Sequence, residues 1–303
     1  MKLLRTHAAK VSLSIGAVGI LLIGVLGQHI VQRCAQSSDT SYQPTHHLDS
    51  TRVTQPHPTT YHSRISDTMS IPVYTVEVLR TIPHDAQAFT QGLAFSEGEL
   101  YESTGQYGAS SLRKVDPETG KVLKKLVIDE AYFAEGVVVV QGKVYQLTWQ
   151  SGIGFVYDAK TFRQLRTFSY FGEGWGLTYD GEHMIMSDGT SGLRLLDPDS
   201  LMVRKMLYVT ANGVPVKNLN ELEVVKGEIW ANVWQTDSIA RISPLTGHVI
   251  GWIDCSGLLT PEERSRADVL NGIAYNSAKD IILLTGKNWS KMFEVRVKIK
   301  EKM

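Results

Sequence analysis

A short segment recurs five times along this chain, at Gln91-Gly92-Leu93, Glu135-Gly136-Val137, Trp175-Gly176-Leu177, Glu221-Leu222-Glu223 and Asn271-Gly272-Ile273. Its second residues, 92, 136, 176, 222 and 272, step by 44, 40, 46 and 50 residues, and periods of roughly 40–50 residues are those of propeller blades. Each of the first four units carries an apolar run, a glycine turn and a second β-rich run, as in Gly98-Glu-Leu-Tyr, Gly142-Lys-Val-Tyr, Gly181-Glu-His-Met and Gly227-Glu-Ile-Trp. These read as hairpins. A further turn follows at Asp116-Pro-Glu-Thr-Gly, Asp158-Ala-Lys-Thr, Asp197-Pro-Asp-Ser and Ser243-Pro-Leu-Thr-Gly, where Asp, Ser and Pro suit the opening positions of a turn. Four strands per unit are therefore expected. A lone four-stranded sheet cannot bury both faces, whereas five packed radially bury each face against a neighbour and leave only short edges. The expected fold class is all-β, a five-bladed β-propeller.

The repeats occupy about residues 75–297, and the propeller domain is expected over 75–303. What precedes it reads differently. Lys2, Arg5 and Lys10 stand before an uncharged, mostly apolar run from Val11 to Gly27, the layout of a secretory signal or signal anchor. Residues 1–34 are therefore expected to export the chain to the periplasm or the exterior, either cleaved or holding it at the inner membrane by residues 11–27. Residues 35–74, rich in Ser, Thr, Gln, His and Pro, are expected to form a disordered linker. With 31 basic and 31 acidic residues and no basic stripe to track phosphates, nucleic acid is not an expected partner. Cys34 and Cys255 are the only cysteines, so no disulfide framework staples the fold. Stability must come from blade packing, and a monomer is expected.

In a propeller the innermost strand of every blade lines the central channel, so equivalent positions converge on one small volume. The recurring segment places Gln91, Glu135, Trp175, Glu221 with its neighbour Asn220, and Asn271 in one ring. A second ring, at the end of the following strand, holds Gly105, Trp149, Asp188, Trp234 and Gly286-Lys287. Two readings of Trp149, Trp175 and Trp234 stand at this point: packing between blades, or the walls of a small-molecule pocket. The company they keep, a carboxylate, side-chain amides and a lysine, favours the pocket. Desolvation beside indoles would raise the pKa of Glu135 toward the range useful for proton transfer. The sequence has no Gly-x-Ser-x-Gly elbow, His-Glu-x-x-His, Walker loop or dinucleotide fingerprint, which removes the common hydrolase, zinc and nucleotide chemistries. Spacing defines no metal ligand set for chemistry, and the channel is left open to a structural cation such as calcium.

The axial segments also resemble a known family. Ala88-Phe-Thr-Gln-Gly-Leu, Tyr101-Glu-Ser-Thr-Gly, Phe133-Ala-Glu-Gly, Gln146-Leu-Thr-Trp, Gly172-Glu-Gly-Trp-Gly-Leu, Asn218-Leu-Asn-Glu-Leu-Glu, Ala231-Asn-Val-Trp and Leu270-Asn-Gly-Ile-Ala-Tyr are similar to the plant-type glutaminyl-peptide cyclotransferases, across essentially all of residues 75–297. The resemblance implies a five-bladed propeller that closes the N-terminal glutamine of peptides or proteins to pyroglutamate and releases ammonia without a catalytic metal or other cofactor, unlike the zinc-dependent animal enzymes.

On that reading Glu135 is the acid–base residue, and Gln91, Asn220 and Lys287 supply donors to the tetrahedral oxyanion. Phe89, Phe133, Trp149, Trp175 and Trp234 enclose the glutamine side chain and exclude water. The quoted motifs carry each of these positions except Lys287, which rests on its ring position. Two other readings remain: a glycoside hydrolase drawing on Glu102, Glu135, Glu173, Glu221 and Glu223, and a propeller that binds peptides without catalysis.

Overall fold

The computed structural model describes residues 70–300. The expected signal or anchor of residues 1–34 and nearly all of the expected linker lie outside them. Blade one comprises β2 (Thr90–Ser96), β3 (Glu99–Thr104), β4 (Ser111–Val115) and β5 (Val122–Val127), numbered after an N-terminal strand β1 (Val73–Pro83). Blade two is β6 (Ala134–Val140), β7 (Lys143–Thr148), β8 (Ile153–Asp158) and β9 (Gln164–Ser169). Blade three is β10 (Leu177–Tyr179), β11 (Met184–Met186), β12 (Gly192–Leu196) and β13 (Val203–Tyr208). A small hairpin, β14 (Thr210–Ala211) with β15 (Val214–Pro215), leads to blade four: β16 (Leu219–Val225), β17 (Glu228–Val233), β18 (Ser238–Ile242) and β19 (Val249–Asp254). After one turn of helix, α1 (Pro261–Arg264), come β20 (Leu270–Asn276), β21 (Ile281–Gly286) and β22 (Lys291–Ile299).

The fifth blade takes its outer strand from the other end of the sequence. β1 runs antiparallel to β22, from Tyr74 opposite Ile299 to Pro83 opposite Lys291, and parallel to β19 over Val73–Thr75. Blades four and five therefore merge into one eight-stranded sheet. The repeat pattern gave no sign of this closure, because it counts units from their inner strands. Ordered strand begins at Val73, two residues inside the expected linker.

Turn chemistry explains the regular hairpins. Glu97-Gly98, Gln141-Gly142 and Lys226-Gly227 each have positive φ at both residues, the two-residue type I′ loop whose twist matches that of the flanking strands. At the outer turns Asp116, Asp158 and Asp197 accept backbone N–H groups two or three residues ahead, so an Asx turn stands at each of these expected turns.

The core is divided among the five blade interfaces. Tyr101 and Leu112 of blade one pack on Val137, Val144 and Phe155 of blade two, whose outward face, with Tyr145, Leu147 and Val156, meets Met184 and Met186 of blade three. Ile185 and Leu193 meet Leu222, Ile229 and Ile242. Trp230 and Ile253 meet Ile273, Ile282 and Phe293. Ile82, Leu93 and Leu100 close the circle on Ala274, Leu283 and Met292. Each sheet is thus apolar on both faces, which is why a single blade has no independent core.

At the axis the inner strands approach too closely for side chains. A Cβ added to Gly92 would lie 2.6 Å from the Val137 nitrogen, one at Gly136 2.6 Å from the Trp175 oxygen, and one at Gly176 2.1 Å from the Asn220 oxygen. All three contacts are with backbone, which cannot rotate away. Gly176→Ala is therefore expected to cost about 1–3 kcal/mol of folding stability by overpacking, measured by chemical denaturation; an unchanged midpoint would contradict the close approach.

Candidate active site

Register breaks at the same place in four of the five inner strands. Thr90 opposite Thr104 is followed by Gly92 opposite Ser103, Ala134 opposite Thr148 by Val137 opposite Gln146, Leu219 opposite Val233 by Leu222 opposite Ala231, and Leu270 opposite Gly286 by Ile273 opposite Leu284. Each inner strand carries one extra residue, a bulge that re-aims the side chain it holds. Gln91, Glu135 and Asn220 occupy these bulges and line one cavity of about 430 Å³. The fourth, Asn271, is buried outside that lining and donates to the Thr90 carbonyl, tying blade five to blade one. In blade three Trp175 and Gly176 both face Ser187, whose carbonyl accepts from Trp175 N–H and whose N–H donates to the Gly176 carbonyl, while its side-chain oxygen accepts from Gly176 N–H and its hydroxyl donates to the Asn220 carbonyl.

This register corrects the sequence reading of blade four. The segment equivalent to Glu135-Gly136-Val137 is Asn220-Glu221-Leu222, one residue earlier than Glu221-Leu222-Glu223, so the ring position belongs to Asn220 and Glu221 stands where other blades have glycine. Glu221 uses that place structurally: its carboxylate accepts the N–H groups of Leu93 and Ile273 from blades one and five. Burial, with the neighbouring Glu223 charge, pushes it well above the usual carboxylate range despite those bonds. Glu223 accepts from Tyr275 N–H and the Thr178 hydroxyl, and burial pushes it up to about 8.

All nine candidate residues meet in the cavity: Phe89, Gln91, Phe133, Glu135, Trp149, Trp175, Asn220, Trp234 and Lys287. Phe133 stacks edge-on against Phe89 and Trp149, with centroids 6.1 and 5.6 Å apart, and Trp175 against Trp234 at 5.6 Å. The Lys287 ammonium lies 4.8 Å from the Phe89 ring centre, a cation–π contact. Its backbone is held by hydrogen bonds with Val269 and Asp268, which brings the end of β21 to the site. Sequence reasoning missed Gln106, Gln235, Asp268 and Val269, which complete the lining. Gln106 and Gln235 directly follow the second-ring positions Gly105 and Trp234, as Gln150 follows Trp149, so the repeat carried a signal for them; Asp268 and Val269 sit in the connection that leads into β20.

Glu135 is 5 % exposed and accepts one hydrogen bond, from Gln91 Nε2 at 3.0 Å. Burial pushes its carboxyl well above the usual range; Lys287 opposes that shift and Glu173 adds to it. Burial also lowers Lys287, against the pull of Glu135 and Asp268. Because the Gln91 nitrogen is committed to Glu135, the buried atom it leaves without a partner is its oxygen, as is Oδ1 of Asn220. Gln91 is thus placed to receive a substrate N–H, which departs from its expected role as an oxyanion donor. Of the carboxylates weighed for a glycosidase, Glu102, Glu173, Glu221 and Glu223 are absent from the lining; the other carboxyl of the lining, Asp268, is solvent-exposed. Among the described residues no three His, Cys, Asp or Glu side chains gather to hold a metal ion.

A propeller whose axial cavity holds one desolvated carboxyl group among indoles, amides and a lysine is built as an acid–base enzyme for a small group presented end-on. The family profile described as glutamine cyclotransferase matches residues 52–297, and the chain belongs to that family. It is 44% identical over 229 residues to a glutaminyl-peptide cyclotransferase of Arabidopsis thaliana, covering 74% of this chain and 71% of that one. It superposes on the crystal structure of Myxococcus xanthus glutaminyl cyclase with a TM-score of 0.69 and 36% identity, over 76% of this chain and 99% of that one.

Proposed function

We propose that this protein is a glutaminyl-peptide cyclotransferase, converting the N-terminal glutamine of peptides and proteins to pyroglutamate with release of ammonia, and that Glu135 moves the proton. The observation that carries the assignment of Glu135 is its burial: of the two carboxyl groups in the lining, Asp268 is solvent-exposed while Glu135 is 5 % exposed, and burial raises the proton affinity of Glu135. In the reaction the α-amine nitrogen attacks the side-chain amide carbon, the new C–N bond closes the ring, and the bond to the amide nitrogen breaks. One proton leaves the amine and one joins the departing nitrogen, so a single carboxyl can take the first and return it as the second. A peptide α-amine titrates at about 7.7–8.0, and burial raises Glu135 above the usual carboxylate range, which makes it a better acceptor for the amine proton.

Orientation supplies much of the rest, because amine and amide belong to one residue and need only be held folded together. The Gln91 and Asn220 oxygens accept substrate N–H groups, while Lys287 offers positive charge to the oxygen of the tetrahedral intermediate. The five aromatic rings keep out water, which competes for the same carbonyl. A peptide beginning with glutamine is expected to lose one ammonia, followed by mass spectrometry, at a rate unchanged by a chelator. Saturable binding without pyroglutamate would leave a binding propeller instead. Export by residues 1–34 and action as a monomer complete the proposal; N-terminal sequencing of the mature protein and its sedimentation test them.

A further inference from the structure

The connection between β9 and β10 reads Tyr170-Phe-Gly-Glu-Gly-Trp175, with two glycines that the matching β5–β6 connection, Ile128 to Phe133, does not have. Tyr170 pins it to the end of β7, its hydroxyl donating to the Thr148 carbonyl at 2.5 Å and accepting the Thr148 N–H at 2.8 Å. Gly172 adopts a φ of 79°, and a Cβ at Gly174 would stand 2.7 Å from the Tyr170 hydroxyl. The two glycines let the chain bend tightly around the residue between them. Gly174 N–H then bonds the Trp149 carbonyl, which leaves Glu173 between two cavity indoles.

One oxygen of Glu173 accepts both indole N–H groups, from Trp149 at 2.8 Å and Trp175 at 2.9 Å. Its other oxygen accepts the Gln150 amide at 3.1 Å. Trp149 follows β7 of blade two and Trp175 precedes β10 of blade three, so this carboxylate joins two walls of the cavity without lining it. An indole has a single donor; once that donor is fixed, rotation of the ring is restricted.

Resting on the cyclotransferase reading, we propose that Glu173 is a positioning residue: it clamps the Trp149 and Trp175 rings in the orientation that receives glutamine and sets the charge felt by Glu135. Burial alone would favour the protonated Glu173, but the Trp175, Gln150 and Trp149 bonds hold its carboxyl below the usual range, against the Asp188 charge. Asp188 is in turn paired with Arg194 at 2.6 Å. The titratable groups around Glu135 are Lys287 after β21, with Asp268 behind it, and Glu173 and Tyr170 from the β9–β10 connection. Among them Glu173 is the anion that raises the proton affinity of Glu135.

Two variants separate the clamp from the charge. Glu173→Ala removes both and is expected to lower kcat/KM roughly 10²-fold through misplacement of the substrate, with KM rising. Glu173→Gln keeps an acceptor oxygen and loses the charge, so KM is largely retained while the acid limb of the kcat/KM profile moves to lower pH. Independently of turnover, the ¹⁵N-indole resonances of Trp149 and Trp175 should shift upfield and exchange faster with solvent in Glu173→Ala, with the circular dichroism of the folded protein unchanged. Unmoved indole resonances would overturn the clamp, and an unmoved acid limb in Glu173→Gln would overturn its electrostatic part. If the wild type makes no pyroglutamate, the functional reading fails while the resonances still decide the clamp.

Discussion

Glu135→Gln is expected to lower kcat/KM by about 10²–10⁴-fold, the usual contribution of a positioned acid–base group. The amide is nearly isosteric and can still pair with Gln91, so binding of a Gln-initiated peptide should survive, and the loss should appear in kcat. Stability should move the other way. A carboxyl whose folded pKa lies above its unfolded value binds its proton more tightly in the folded state, so its burial costs stability increasingly as pH rises from about 4.5 toward the folded pKa. The neutral amide removes that cost, and Glu135→Gln should therefore melt at or above the wild-type temperature at pH 7 and higher. A variant with wild-type turnover would remove Glu135 from the chemistry.

His84→Ala should be the most damaging single change outside the cavity, at about 3–5 kcal/mol, because it strands a buried partner. Both ring nitrogens of His84 face acceptors, Nδ1 the Trp289 carbonyl at 2.7 Å and Nε2 the Glu102 carboxylate at 2.8 Å, so both carry protons and the ring is cationic. Burial opposes that charge, but Glu102 and the Trp289 carbonyl raise His84 above its ordinary 6.5. Burial likewise works against the Glu102 charge, yet His84, Arg113 and the Thr90 hydroxyl hold that carboxyl below 4.5. Glu102 lies in β3 of blade one and Trp289 between β21 and β22 of blade five, so the pair bolts the seam where the ring closes.

Its contribution depends on pH from both sides. The raised His84 contributes fully below 6.5, and that part is lost as pH climbs through its folded value. The lowered Glu102 contributes fully above 4.5, and that part is lost as pH falls through its own folded value. The gap in melting temperature between wild type and His84→Ala should be widest between these limits and narrow on either side. A gap independent of pH would mean that the pair is neutral. Replacing His84 and Glu102 together by apolar residues should cost less than His84→Ala alone.

Much of the site was legible because a propeller turns sequence period into spatial ring. Gln91, Glu135 and Asn220 were found without coordinates since each sits at the bulge of an inner strand, and Trp149, Trp234 and Lys287 since each follows the next strand. Blade four misled by one residue, because Glu221 stands in the glycine position and leaves the recurring pattern without its marker. Glu173 was visible only as one carboxylate among several: it stands where blades one and two carry Phe89 and Phe133, and nothing in Phe-Gly-Glu-Gly-Trp says that one oxygen meets two indoles.

The chain by itself determined the number of blades, the hairpin turns and nine of the residues that line the cavity, since these follow from local backbone preference and from a period in which apolar faces must pair. The tertiary structure alone decided that β1 completes the fifth blade, that His84 reaches Trp289 across the seam, and that Glu135 loses its water while Glu102 keeps its charge. Those outcomes depend on which groups from distant segments come within hydrogen-bonding reach of a buried carboxyl, and a pattern of spacings carries no distances.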